Sequence, residues 1–430
     1  MIENILTLFF LSAALILGFI SSTSPDLSFL YLPAGILAFP VLLDTRFRLL
    51  GLIFAGLFSF GATNELSLGK ILFFALYLVV LLASIGGELR LMHSDQGLFG
   101  QHVTWAGFAF TATTLLSGFV NNEPANDIVR SGLPYLLVST IPIIGLTSGR
   151  SFTAKEVLNW TYLLGVISAF STAVIWVSRR GYSAIDLTYI SYGGLALPAL
   201  AFALALFNIG RGDLRSRLVP SVTFVLIGAL MLIPGTRTNY ILLAPLVLFF
   251  ASRSRAEKTR NYKKWVAMLL AIAFVAFISL VPLFVLDPSV VFERLTTGLL
   301  VGVTNTQADQ SGAIRSAGYD AAWQLVSSKP FFGRGFALDI FYAVWDTPVS
   351  LIVAVGYAGT IIIAIYTFFV TRYLSFSLKG DWGLRLAALG WGLTLLADLP
   401  FGNPLQDKGL PFALLLLMLL SNSREKTAAS

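Results

Sequence analysis

Apolar stretches of roughly 14 to 25 residues recur along the chain, the longer ones sufficient to cross about 30 Å of hydrocarbon as a helix. They fall at 3–20, 27–43, 47–62, 70–86, 103–120, 131–147, 156–177, 190–208, 218–234, 238–252, 265–286, 347–371, 383–400 and 408–421. That is about fourteen predicted spans. A membrane β-barrel would show shorter segments of alternating polarity, so the pattern predicts an all-α polytopic membrane protein. One long polar interval, 287–346, separates two of the spans. No repeat of fixed period and no low-complexity tract divides the chain, and residues 1–430 are expected to form a single membrane domain.

Composition sharpens this picture. With 56% of its 430 residues hydrophobic and 12% charged, a water-soluble fold would be one continuous apolar patch. The absence of cysteine removes disulfides, thiolate nucleophiles and thiolate metal sites together. The first span opens Met1-Ile2-Glu3, without a basic n-region or a small-residue cleavage site before Ser21, so it is expected to be a retained helix. The net charge of +7 is assigned to cytoplasmic Lys and Arg facing anionic lipid. Nucleic acid is not an expected partner.

Cytoplasmic loops carry an excess of Lys and Arg, and the stretch from Arg253 to Lys264 is the most basic of all. Counting outward from it places Arg46, Arg48, Arg150, Lys155, Arg211, Arg217, Arg372, Lys379, Arg385 and Arg424 inside as well. Both termini are then cytoplasmic, and 287–346 is an extracytoplasmic lid. Three outer segments keep arginine against the bias: Arg130, the pair Arg179-Arg180, and the lid with Arg294, Arg315 and Arg334. A bound anion explains such a residue; interfacial snorkelling to lipid phosphate is the alternative.

Pro234-Gly235 breaks a long apolar run, leaving Arg237 at the outer start of a helix whose first amides are free. A guanidinium beside a helix N-terminus is an anion site; the competing reading is a tight outer turn resting on headgroups. In the lid, 311–326 has helical composition, and Arg315, Tyr319 and Trp323 fall at i, i+4 and i+8. Aromatic rings stack on sugar faces while arginine takes the charge; an amphipathic helix lying on the membrane fits equally. Lys329-Pro330 ends that helix, and Phe331-Phe-Gly-Arg-Gly-Phe336 follows as a turn with Arg334 at its tip. Asp398, near the outer end of a span, is expected to line a lipid path, bind a lid arginine or cap a helix.

Taken in order, Thr236-Arg-Thr-Asn-Tyr240, Ile314-Arg-Ser-Ala-Gly-Tyr-Asp-Ala-Ala-Trp323, Lys329-Pro-Phe-Phe-Gly-Arg-Gly335 and Val355-Gly-Tyr-Ala-Gly359 resemble the O-antigen polymerase and ligase superfamily of bacterial membrane glycosyltransferases. The specific part of the resemblance spans about 176–360. It implies a GT-C-like helical fold in the bacterial inner membrane and a polyprenyl-diphosphate sugar donor on the periplasmic face. It also implies arginines that hold the diphosphate, here Arg179 or Arg180 with Gly181, Arg237, and Arg315; Arg334 joins them by its place in the turn. Ligases of the superfamily carry a histidine shortly after the Pro-x-x-Gly-x-Gly turn. Here that stretch reads Val344-Trp-Asp-Thr-Pro-Val-Ser350, and the two histidines, His93 and His102, fall in a predicted inner loop.

The departure favours a repeat-unit polymerase over a ligase, and a lipid-linked oligosaccharide transporter is the reading from another class. Transfer needs charge on the leaving diphosphate and a base for the attacking hydroxyl. Fixed arginines supply the first without a metal or cofactor. Asp346 is the first candidate base and Glu293 the second, with a surface carboxylate paired to arginine as the alternative for each. Tyr319 and Trp323 are the candidate sugar contacts. Expected partners are the polyprenyl-diphosphate-linked glycan, membrane lipid, a chain-length regulator and a flippase.

Overall fold

The computed structural model describes residues 68–91, 97–179, 194–209, 214–232, 310–337, 347–399 and 403–423, with single positions at 49, 52, 53, 56, 245, 248, 249 and 344. Among the described residues the regular structure is helical throughout, with no strand. The helices are α1 (Leu68–Leu91), α2 (Gly97–Val120), α3 (Ala125–Ser148), α4 (Ala154–Arg179), α5 (Ala196–Asn208), α6 (Leu214–Leu232), α7 (Gln310–Ser328), α8 (Ser350–Ser377), α9 (Trp382–Asp398) and α10 (Leu410–Ser423). Each overlaps a predicted apolar window, α7 excepted, which is the predicted lid helix. The predicted spans 3–20, 27–43 and 265–286 lie outside the described residues, and 47–62 and 238–252 are touched only at single positions.

Helix ends depart from the apolar windows where local chemistry extends them. Pro124 precedes α3 and Asp127 lies in its first turn, a start signal independent of hydropathy. Arg130, expected in a loop, is therefore helical, and His102 lies in α2 with its ring stacked on Phe369 at 5.1 Å.

Gly100–Val120, Ser131–Ser148 and Ser350–Ser377 are long and apolar enough to cross a membrane, and shorter apolar helices accompany them. Large side chains face outward, among them Trp105 at 64% and Ile361 at 61% exposure, while Thr114 and Ser139 are buried. Exposing each such side chain to water would forgo roughly 1.5–3 kcal/mol; against lipid it costs nothing.

The interior is built on α5 and α10, whose residues 196–207 and 410–423 are all buried. α4, α6 and α9 surround α5, while α3 and α4 flank α10. Small residues allow this approach: Gly165 lies against Ala201, and Gly145 against Met418. In lipid, such close packing rather than a hydrophobic force holds helices together.

α8 runs antiparallel to α2, since Ala354 meets Ser117 at one end and Phe369 meets His102 at the other. One end of the bundle carries Lys155, Arg372, Lys379 and Arg385, and there Tyr373 donates to Asn422 Oδ1 at 2.6 Å. The opposite end carries Glu123, Asp127, Lys329, Arg334, Asp398 and Asp407. α7 sits at this second end, packed on the start of α8 through Ala322, Val326, Val349 and Val353.

Candidate functional site

At Gly356, helix α8 breaks, with φ 69° and ψ −175° inside an otherwise helical run. Only glycine adopts that backbone readily, and the break strands N–H and C=O groups that water does not reach in a bilayer. The turn after α7 satisfies them. Tyr357 N–H donates to Pro330 O at 2.8 Å and Ala358 N–H to Phe331 O at 3.2 Å. In return Arg334 N–H donates to Val353 O at 2.6 Å and Gly335 N–H to Ala354 O at 3.1 Å. Gly333 and Gly356 meet backbone to backbone: a Cβ on Gly356 would lie 2.5 Å from Gly333 N.

The end of α2 completes the seat. Ser117 Oγ lies 2.8 Å from Phe332 O and 2.5 Å from Ala354 O, its one proton serving either. Asn121 Nδ2 donates to Gly333 O at 3.2 Å, and Lys329 Nζ donates to Asn121 Oδ1. Glu123 accepts from Phe336 N–H at 2.8 Å and Ala337 N–H at 2.7 Å. Below it, the buried ring of Phe336 meets Tyr135 edge-on at 5.2 Å. Asn403 Nδ2 donates to Tyr135 Oη at 2.8 Å and Ser350 Oγ at 3.1 Å. A polar layer thus closes this end of the bundle beneath the turn.

Arg334, half buried, donates from Nε to Ser328 Oγ at 2.8 Å. Its two Nη groups make no hydrogen bond among the described residues. They form a planar fork with four N–H donors, suited to phosphate oxygens.

A second carboxylate at this end has a different task. Asp407 accepts from Leu195 N–H at 2.6 Å, Ala196 N–H at 3.0 Å and Gly409 N–H at 2.7 Å. It caps the start of α5 from a distant loop, filling donors that the helix leaves unpaired. Burial pushes its carboxyl up to about 7, with the N–H bonds from Ala196 and Leu195 opposing and the charge of Asp398 adding to the rise.

No family model and no curated protein matches this sequence. The site therefore stands on its own geometry and on the residues that compose it.

Of the sequence candidates, Arg334 is seated in the turn as described. Tyr319 and Trp323 are adjacent on α7 but differ in exposure. Tyr319 packs against the cluster of Ala322, Val326 and Val353, whereas Trp323 is 47% exposed. Arg315 lies on α7 and Arg179 ends α4. Arg180, Gly181, Arg237, Glu293, Arg294 and Asp346 lie outside the described residues. Asp398 is the last residue of α9, beside Asp407.

The sequence does not single out Ser117, Asn121, Glu123 or Asp407, and it marks Lys329 only as part of the helix-ending Lys329-Pro330 and the motif that follows. Glycines offered a partial signal, because Gly-Arg-Gly and Val355-Gly-Tyr-Ala-Gly359 both mark close backbone approach.

Proposed function

We propose that the chain is a polysaccharide polymerase that transfers a growing glycan from polyprenyl diphosphate to the next lipid-linked repeat unit. The reaction takes place at the periplasmic face of the bacterial inner membrane, in a GT-C-like bundle with both termini cytoplasmic. The observation that carries this reading is the seating of Arg334. A turn held by main-chain hydrogen bonds carries a guanidinium whose Nη donors make no hydrogen bond among the described residues, at the bundle end opposite the basic one. A lipid diphosphate arriving in the membrane presents its charge at that level.

An acceptor hydroxyl attacks the anomeric carbon, the bond from that carbon to the diphosphate oxygen breaks, and the diphosphate departs with its electron pair. Arg334, with Arg180, Arg237 and Arg315, balances the charge that develops on the leaving group. A carboxylate takes the hydroxyl proton, Asp346 in the first instance and Glu293 in the second. This single displacement inverts the anomeric centre.

The break in α8 also bears on the transporter alternative. Transporters keep half-helix ends open to the substrate near the bilayer midplane. Here the turn's main chain occupies the groups freed at Gly356, which supports chemistry at the membrane surface.

The test is the size of glycan left on the polyprenyl carrier in cells lacking the protein, resolved by mass. The polymerase reading expects single repeat units and no long chains. Long chains retained on the carrier would make the protein a ligase. Units absent from the outer leaflet but normal inside would make it a transporter.

A further inference from the structure

The turn that seats Arg334 also holds two adjacent phenylalanines in the open. Phe331 is 71% and Phe332 46% exposed, although each main-chain carbonyl is pinned, one by Ala358 N–H and the other by Ser117 Oγ. In water, two such rings would forgo roughly 1.5–3 kcal/mol each relative to burial.

Their height along the bundle accounts for the exposure. Ser117 belongs to the apolar helix Gly100–Val120, three residues and so about 4.5 Å short of its end. The Phe332 carbonyl is bonded to Ser117 and lies at that level, inside the last turn of a span. Lys329 reaches Asn121 Oδ1, on the residue just past the end of that helix, whose amide also donates back to Ser117 O at 2.7 Å. Rings at the hydrocarbon edge with an ammonium held at the end of the span match the polarity of the interface. The ammonium has three donors, of which Asn121 takes one. By contrast, the exposed positions of α7 are mostly small or polar, with Ser316, Asp320, Gln324 and Ser327 around a single large ring, Trp323.

We infer that the 329–332 turn is a bilayer anchor, with Phe331 and Phe332 in the acyl-chain edge and the Lys329 ammonium on the headgroup phosphate of an anionic phospholipid. The anchor fixes the height of the neighbouring Arg334 over the membrane, and it holds whether or not the chain transfers sugars.

The chain contains no cysteine, so single-cysteine variants need no background removal. Phe331→Cys, Phe332→Cys, Gln324→Cys and Ser327→Cys in the full chain are spin-labelled and reconstituted in phosphatidylcholine vesicles. Relaxation by dissolved oxygen is compared with relaxation by a water-soluble nickel chelate. Oxygen dominates severalfold at 331 and 332, and the chelate at 324 and 327; chelate dominance at all four positions overturns the anchor. Native mass spectrometry of protein from equal phosphatidylcholine–phosphatidylglycerol mixtures reads the phosphate contact. The population retaining one phosphatidylglycerol falls severalfold in Lys329→Ala and returns in Lys329→Arg. Undiminished retention in Lys329→Ala overturns the contact, as does a parent protein that retains added polyprenyl diphosphate but no phosphatidylglycerol.

Discussion

Glu123 holds Phe336 by its backbone, accepting the Phe336 N–H at 2.8 Å across 213 residues of sequence. The other carboxylate oxygen takes Ala337 N–H at 2.7 Å, so one side chain fixes where the turn leaves α8. Hydrogen bonds to a charged acceptor contribute about 1.5–3 kcal/mol each. Glu123→Ala should lower stability by about 2 kcal/mol or more and expose 329–337 to limited proteolysis. Glu123→Gln, which keeps one good acceptor, should lie between. Unchanged cleavage in Glu123→Ala would mean that the turn is held without it.

Gly356 tests the broken helix directly. A Cβ there would lie 2.2 Å from Phe331 O, on a backbone of φ +69°. Gly356→Ala therefore combines a conformation closed to L-residues with a clash against main chain, and should cost about 3 kcal/mol or more. Gly380 has nothing within 4 Å of its own Cβ position, so Gly380→Ala should change stability by no more than about 0.5 kcal/mol. Thermal unfolding of the two variants in detergent compares them; equal melting temperatures would remove the break from the fold's requirements.

The helices were legible because an apolar window long enough to cross a membrane is a property of consecutive residues, and α2, α3 and α8 each follow one. The site was legible only in halves. Gly-Arg-Gly and Val355-Gly-Tyr-Ala-Gly359 are visible as separate signals, but that 330–335 fills the break at Gly356 is a tertiary fact. Glu123 and the capping role of Asp407 left no local mark, since the amides of Phe336 and of Leu195 lie more than two hundred positions away; only the bond from Gly409 N–H to Asp407 is local. Periodicity put Tyr319 and Trp323 on one side of α7; there Tyr319 packs against the cluster that α7 shares with the start of α8, while Trp323 is exposed.

Asp407 gives the fold a pH dependence of defined sign. Burial raises its carboxyl to about 7, so the folded state holds the proton more tightly than an unfolded chain, whose Asp titrates near 3.9. Its contribution to stability is fully present below about pH 4 and is lost as pH rises through about 7. The melting temperature should therefore fall between about pH 5 and about pH 8, and Asp407→Asn should flatten that fall. Asp407→Ala leaves the N–H groups of Leu195, Ala196 and Gly409 without their acceptor and should cost about 1–3 kcal/mol at any pH. A slope unchanged in Asp407→Asn would assign the dependence to another group.

Arg334 separates chemistry from folding. Its place in the fold is set by main chain, through the bond from its N–H to Val353 O, and a side-chain substitution leaves that bond intact. Among the described residues the guanidinium itself gives one hydrogen bond, to Ser328 Oγ. Arg334→Ala should therefore change stability by about 1 kcal/mol or less. If the guanidinium balances charge on a departing diphosphate, the same substitution should reduce polymer formation by about 10²-fold or more. Arg334→Lys keeps the charge but loses the planar fork that grips two oxygens at once, so its output should fall between. The comparison is made in cells lacking the native gene, with polymer per cell normalised to the amount of each variant in the membrane. Full polymer from Arg334→Ala at normal protein level would take the turn out of the transfer step and leave the membrane anchor as its role.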